Sequence, residues 1–241
     1  MDITPGIQEQ LFNNGFTVID NVYTSEEVSM LLQEIANADS SGPTFRKTGD
    51  LFAIRQLLKE VPSIHDLVFN NNLKAIIAKL PGDDYFIVKS IYFDKPGQSN
   101  WFVPWHQDLT ISVDKRCDVE GFGPWTIKHH GFSVQPPTDI LESNCTIRIH
   151  LDDTDENNGA LRVIPKSHRK GIYRPETIDR AVEKETVCTV KKGGVMIMKP
   201  LLLHASNRTT NKKNRRVIHL EFSNRTLPRP LQWAEKENIL T

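Results

Sequence analysis

The stretch Arg215-Arg216-Val217-Ile218-His219-Leu220-Glu221-Phe222 alternates along its whole length. Extended backbone points successive side chains to opposite sides. One face therefore carries Arg216, Ile218, Leu220 and Phe222, and the other Arg215, Val217, His219 and Glu221. Such a strand buries its apolar side against a second layer. Working outward, Tyr85–Phe93, Thr146–Leu151, Leu161–Ile164, Thr186–Val190, Val195–Met198 and Leu201–His204 are also short and apolar or alternating. Pro, Gly, Asn and Asp clusters separate them, which predicts a sandwich, barrel or jelly roll. In Cys145-Thr146-Ile147-Arg148-Ile149-His150-Leu151 the apolar residues are the odd-numbered ones, so Thr146, Arg148 and His150 would face a cavity.

The connections carry their own signals. Asn157-Asn158-Gly159 reads as a hairpin turn, because Asn and Gly tolerate positive φ. The polar run Ala205–Asn214 reads as a second hairpin connection, between His204 and Arg215. Residues 112–141 show no clear periodicity and carry Gly121, Gly123, Pro124, Gly131, Pro136 and Pro137, which predicts a long lid over a site. Phe122, Trp125, Phe132, Lys128, His129, His130 and Gln135 on that lid suggest an organic substrate with polar groups, the His129-His130 pair also reading as lid surface. Trp101, Phe102 and Trp105 before it are candidates either for the same pocket or for core packing.

Residues 1–83 read as mostly helical support with one early strand, Gly15–Asp20. Helical candidates are Ile7–Asn14, Ile54–Lys59, Ile64–Leu80 and a helix through Ala36. The last opens on a capping box, Thr24-Ser25-Glu26-Glu27, and sets Val28, Leu31, Leu32 and Ile35 on one face. With no repeat, low-complexity tract or linker, residues 1–241 read as one domain.

The 241 residues balance 30 basic against 30 acidic side chains, which offers no electrostatic argument for nucleic acid or an anionic membrane. Cys117, Cys145 and Cys188 are widely spaced and show no metal or disulfide pattern. The N-terminus lacks a basic region leading into an apolar run, and no stretch reaches the ~20 apolar residues of a membrane span. A soluble cytoplasmic protein with a small-molecule partner is expected.

The chemistry concentrates at Trp105-His106-Gln107-Asp108. On an extended segment His106 and Asp108 point the same way, so an imidazole and a carboxylate can reach one ion. His204, ending an apolar run, is the best third ligand, although His65, His129, His130, His150, His168 and His219 compete. Two histidines and one carboxylate leave three metal positions open, as in non-haem Fe(II) oxygenases. If His204 and Arg215 flank one hairpin, a guanidinium suited to a carboxylate lies beside the metal. Arg216 is the competing choice.

Four segments, in order, resemble the phytanoyl-CoA dioxygenase family of Fe(II)/2-oxoglutarate oxygenases. They are Gly15–Asp20 with the helix after Thr24, Trp105–Thr110, Leu151–His168, and His204-Ala205-Ser206 with Arg215. The resemblance implies a mainly β fold, a double-stranded β-helix (cupin-like jelly roll) over 84–241 buttressed by N-terminal helices. It implies Fe(II) on His106, Asp108 and His204, and 2-oxoglutarate paired with Arg215 and helped by Ser206. With O2, the cosubstrate would yield succinate and CO2 while a small metabolite is hydroxylated. Related halogenases carry a small residue at the position of Asp108, so a carboxylate there favours hydroxylation. The family often has an aromatic residue near Arg148. This arginine is expected to bind an anionic substrate group or assist 2-oxoglutarate, unless Asp152, Asp153 or Glu221 pairs with it. A cupin-like binding protein without turnover and a zinc hydrolase are the other readings, and no separate Glu is placed as base for the second. No basic patch suggests coenzyme A.

Overall fold

The computed structural model describes residues 5–39, 41–49, 52–99, 101–128 and 131–240. The chain opens with helix α1 (Pro5–Asn14), strand β1 (Phe16–Ile19) and helix α2 (Ser25–Ala36). Strands β2 (Phe45–Lys47) and β3 (Phe52–Arg55) precede helices α3 (Leu57–Glu60), α4 (His65–Val68) and α5 (Asn71–Lys79). Then come β4 (Phe86–Lys95), β5 (Val103–His106), β6 (Ile111–Val113), β7 (Trp125–Lys128), β8 (Gly131–Val134) and helix α6 (Thr138–Ser143). The remaining strands are β9 (Cys145–His150), β10 (Leu161–Val163), β11 (Thr186–Cys188), β12 (Val195–Met198), β13 (His204–Ser206), β14 (Arg215–Ser223) and β15 (Glu237–Asn238).

Among the described residues these strands form two facing layers of a jelly roll, antiparallel throughout. The larger sheet runs β1-β12-β9-β14-β4-β3-β2, with β15 on β4, and the smaller runs β11-β10-β13-β5. A third sheet, β6-β8-β7, extends the structure. Alternation decides which side of the large sheet is covered. Ile147, Ile149, Ile218, Leu220 and Phe222 pack with Val28, Leu31 and Ile35 of α2 and Leu73, Ile76 and Ile77 of α5. Each such side chain contributes about 1.5–3 kcal/mol when removed from water. The α2 capping box forms as expected: the Glu27 amide donates to Thr24 Oγ1 (3.1 Å) and the Thr24 amide to Glu27 Oε2 (2.7 Å).

Several expectations are corrected. Residues 1–83 hold two strands beyond the early one, because β2 and β3 join the large sheet through β4. Ile54 of the expected Ile54–Lys59 helix lies in β3, and Gln56, at φ 53°, turns the chain into α3. Short apolar runs carry no period that separates strand from helix; here pairing with β4 decides. Helical character over 64–80 is split by Phe69 and Asn70, with Asn70 capping α5 through the Leu73 amide. The segment 112–141 is no structureless lid, since it holds β7, β8 and most of α6. Phe122, Trp125 and Phe132 pack against an apolar cluster that the segment shares with Val88, Leu201 and Leu231. His129 and His130 lie outside the described residues.

Leu201–Leu203 is a turn, and the strand starts only at His204; Leu201 and Leu202 plug two different clusters. Asn157–Gly159 joins no hairpin. It carries the chain from β9 in the large sheet to β10 in the small one. Gly159, at φ 88°, is required there by space as well as conformation, because a Cβ would sit 2.8 Å from Lys95 Nζ and 2.9 Å from Asn207 O. No described helix is long and apolar enough to cross a membrane.

Candidate metal centre

Strands β5 and β13 are antiparallel neighbours that set His106 opposite His204, with ring centroids 4.2 Å apart. Asp108 lies just past the end of β5, its amide held by Pro200 O at 3.0 Å. Gln107 points away and is buried. Its Nε2 donates to Leu201 O (2.6 Å) and Gly171 O (2.9 Å), and its Oε1 accepts from the Tyr173 amide (2.8 Å). This staple fixes the direction of both flanking side chains. Sequence reading passed over it, although the alternation His106-Gln107-Asp108 already placed Gln107 on the opposite side.

Both imidazoles are oriented the same way. His106 Nδ1 bonds Pro104 O at 2.8 Å, and His204 Nδ1 bonds Leu202 O at 2.8 Å. A carbonyl can only accept, so each Nδ1 carries the proton and each Nε2 keeps a free lone pair. His106 Nε2 lies 3.8 Å from Asp108 Oδ1, and His204 Nε2 lies 3.9 Å from Asp108 Oδ2. One ligand atom from each residue falls within 4.8 Å of the others, which suits a single divalent ion. Protonation states agree. Burial pushes the Asp108 carboxyl up, but His204, His219, His106 and Lys89 together outweigh it and hold it at about 2. Burial pushes His204 down to about 4 against the opposing pull of Asp108, so it is neutral at pH 7, as a ligand must be.

The inner face of the large sheet supplies the other groups. Arg148 Nη1 lies 3.0 Å from His219 Nδ1, His219 Nε2 lies 3.0 Å from Glu221 Oε1, and Lys89 Nζ reaches the same oxygen at 2.8 Å. The guanidinium only donates, so His219 accepts on Nδ1 and passes its own proton toward Glu221 from Nε2. This corrects the partners expected for Arg148. Asp152 binds Arg216 through both oxygens (2.6 and 2.9 Å), and Asp153 accepts from the Lys192 amide.

Arg216, engaged on the outer face, is thereby distinguished from Arg215. Arg215 is buried, and its Nε and Nη1 have no partner. Burial, then the charge of Arg148, pushes it down to about 9. Lys95 stands opposite Arg215 in the register with β4, and its Nζ donates to Asn207 O at 2.6 Å. Ser206 donates to Gly159 O (2.8 Å), against the same glycine that Lys95 touches. His150 also offers an unpartnered Nε2. A cluster of Lys95, Arg148 and Arg215 with unsatisfied donors fits a compact carboxylate ligand. The expected hairpin from His204 to Arg215 is absent, because β13 and β14 belong to different sheets.

The family model for phytanoyl-CoA dioxygenase (PhyH) matches residues 12–217. The chain belongs to this family. A curated relative, the probable alpha-ketoglutarate-dependent hypophosphite dioxygenase of Stutzerimonas stutzeri, is 24% identical over 189 residues. That match takes in 71% of this chain but only 56% of the relative, so the chain spans little more than half its length. Among solved structures, EctD from S. alaskensis with 2-oxoglutarate and 5-hydroxyectoine superposes with a TM-score of 0.71. It is 20% identical and covers 92% of this chain and 76% of its own. HygX from Streptomyces hygroscopicus with nickel and 2-oxoglutarate gives 0.66 at 15% identity, over 92% of this chain and 87% of HygX. These neighbours share the jelly-roll fold.

Within this PhyH-family chain, the aromatic residues before the motif have separate places. Trp105 is in contact with the guanidinia of Arg162 (5.3 Å) and Arg180 (5.0 Å), and Phe102 lies under Arg208 (5.0 Å). His168 bonds Phe12 O at 3.3 Å, far from the triad in role as well as partner.

Proposed function

We propose that the chain is an Fe(II)- and 2-oxoglutarate-dependent oxygenase that hydroxylates a small organic molecule. The observation that carries this reading is the meeting of His106, Asp108 and His204, each with a ligand atom free. Bound there, iron would supply the oxidising chemistry that converts substrate, 2-oxoglutarate and O2 to hydroxylated product, succinate and CO2. The protein's own part is placement. His106 and His204 present Nε2 because their Nδ1 protons are tied to backbone. Asp108 is ionised and fills the position that a halide needs, which favours hydroxylation. Arg215, with Lys95 behind it and Ser206 beside Gly159, meets the distal carboxylate of 2-oxoglutarate. Arg148, bonded to His219, is near enough for its charge to act with Asp108 and against Arg215.

We further propose that the chain works as one domain, without nucleic-acid or membrane partners. The free thiols Cys145 and Cys188, both buried, support a reducing, cytoplasmic setting. Adding Fe(II) and 2-oxoglutarate without oxygen should produce a weak visible metal-to-ligand charge-transfer band. Admitting air should then release succinate. A band without succinate under any condition would instead support a metal-binding protein without turnover, and no band at all would remove the oxygenase reading.

A further inference from the structure

A cavity of about 520 Å³ lies against β3 and β4 on one side and β6 and β8 on the other. Two of its lining residues tie it to the metal centre. Thr110 lies two residues past Asp108 in the chain, and Lys89 pairs with Glu221, from which contacts run on through His219 to Arg148 on the inner face of the large sheet. Its walls mix polar and apolar groups, Ser112 and Ser133 standing beside Ile91, Val113 and Phe132.

Four lining residues carry charge, and three of them are matched. Lys89 is neutralised by Glu221 at 2.8 Å. Glu235 accepts from the Ser90 amide (3.0 Å) and hydroxyl. Asp114 accepts from the Gln232 amide at 2.9 Å. Arg55 differs. Among the described residues its side chain makes no ion pair or hydrogen bond, and burial together with the neighbouring cation Arg46 works against its charge. Neither Glu235 nor Asp114, which line the same cavity, forms an ion pair with it. A half-buried guanidinium without an anion is a donor fork waiting for one.

We propose that this cavity receives the substrate, and that Arg55 selects molecules bearing a carboxylate or phosphonate group at the end remote from the metal. The inference rests on the oxygenase reading above and names its substrate class, a small organic acid. The acid group lies on Arg55, and the carbon to be oxidised lies at the Lys89–Thr110 end, toward Asp108. Specificity follows from the same geometry, since an amide in place of the acid leaves the guanidinium without a counter-charge.

The test uses the whole protein loaded anaerobically with Fe(II) and 2-oxoglutarate. Butyrate, hexanoate, butylphosphonate and hexylphosphonate are titrated beside butyramide and hexanamide, following perturbation of the visible band, then succinate release in air. At least one acid should perturb the band and raise succinate release, while its amide does neither at equal concentration. Arg55→Ala should raise the half-saturating concentration of that acid about tenfold or more, and Arg55→Lys should recover part of the loss. The 2-oxoglutarate dependence of the band should be unchanged in both variants. Carboxylate and phosphonate arms distinguish which oxyanion the site prefers. The inference is overturned if amides match acids, if both variants bind the acid as wild type does, or if no acid perturbs a band that does form. Absence of the band itself defeats the underlying reading instead.

Discussion

Strands β9 and β14 are buried on both faces, yet the two faces carry opposite chemistry. Toward the helices they present Ile147, Ile149, Ile218, Leu220 and Phe222; toward the small sheet they present Arg148, His150, Arg215, His219 and Glu221. The first set gains free energy simply by leaving water. The second loses it unless every charge is paired, and Arg215 and Arg148 keep unsatisfied nitrogens. One face therefore holds the fold together, and the other gives up stability to gather polar and charged groups beside the candidate site. The same backbone serves both because side-chain direction alternates residue by residue.

The separation of roles can be broken most severely at the metal. Asp108→Asn should remove the visible band and succinate release, an effect larger than the about ten- to hundredfold losses typical of outer-shell residues. Its melting temperature should move less than that of any truncation on the apolar face, and unfolding of this variant would contradict the division. On the apolar face, Phe222→Ala should cost about 3–5 kcal/mol in denaturant unfolding. The protein that stays folded should still form the band; loss of iron binding in step with stability would show the faces to be coupled.

Arg215→Met sharpens the comparison from the other side. It should weaken 2-oxoglutarate about tenfold to a hundredfold, read from the band, because charged hydrogen bonds are worth about 1.5–3 kcal/mol each. The ligand-free protein should be no less stable than wild type, since an unpaired buried cation has been replaced by an apolar chain of similar length. A clear loss of ligand-free stability would mean that Arg215 is a structural residue.

The smallest expected effect is a pH slope. Burial, then the charge of Arg215, pushes the Lys95 ammonium down from 10.5 to about 8. Between those values the unfolded chain binds more protons than the folded one, so stability of the ligand-free protein rises with pH across that window. Lys95→Met should flatten the rise in melting temperature from about pH 8 to 10, and an unchanged slope would place its origin elsewhere.

What could be read in advance follows from how local each cause is. The capping box at Thr24 is closed within four consecutive residues, and it forms as read. The alternation in Cys145–Leu151 and Arg215–Phe222 names its own two faces, and both hold. The strand character of Ile54 was not legible, because it depends on β4, whose residues lie far along the chain. Leu201–Leu203 misled for a related reason: three consecutive leucines look like a strand, and only the positions of separate clusters make them a turn.

The sequence by itself determined the candidate ligand residues, the common direction of His106 and Asp108, and the apolar and polar sides of the central strands. Those properties are set by residue chemistry and by the period of extended backbone. Only the tertiary structure decided that His204 faces His106 across β5 and β13, and that Arg215 arrives on the opposite sheet rather than along a hairpin. It also decided that Arg148 spends a nitrogen on His219, and that Arg55 stands without an acid. Each of these is a meeting of residues distant in the chain, and its geometry is settled by how the two sheets pack and cross.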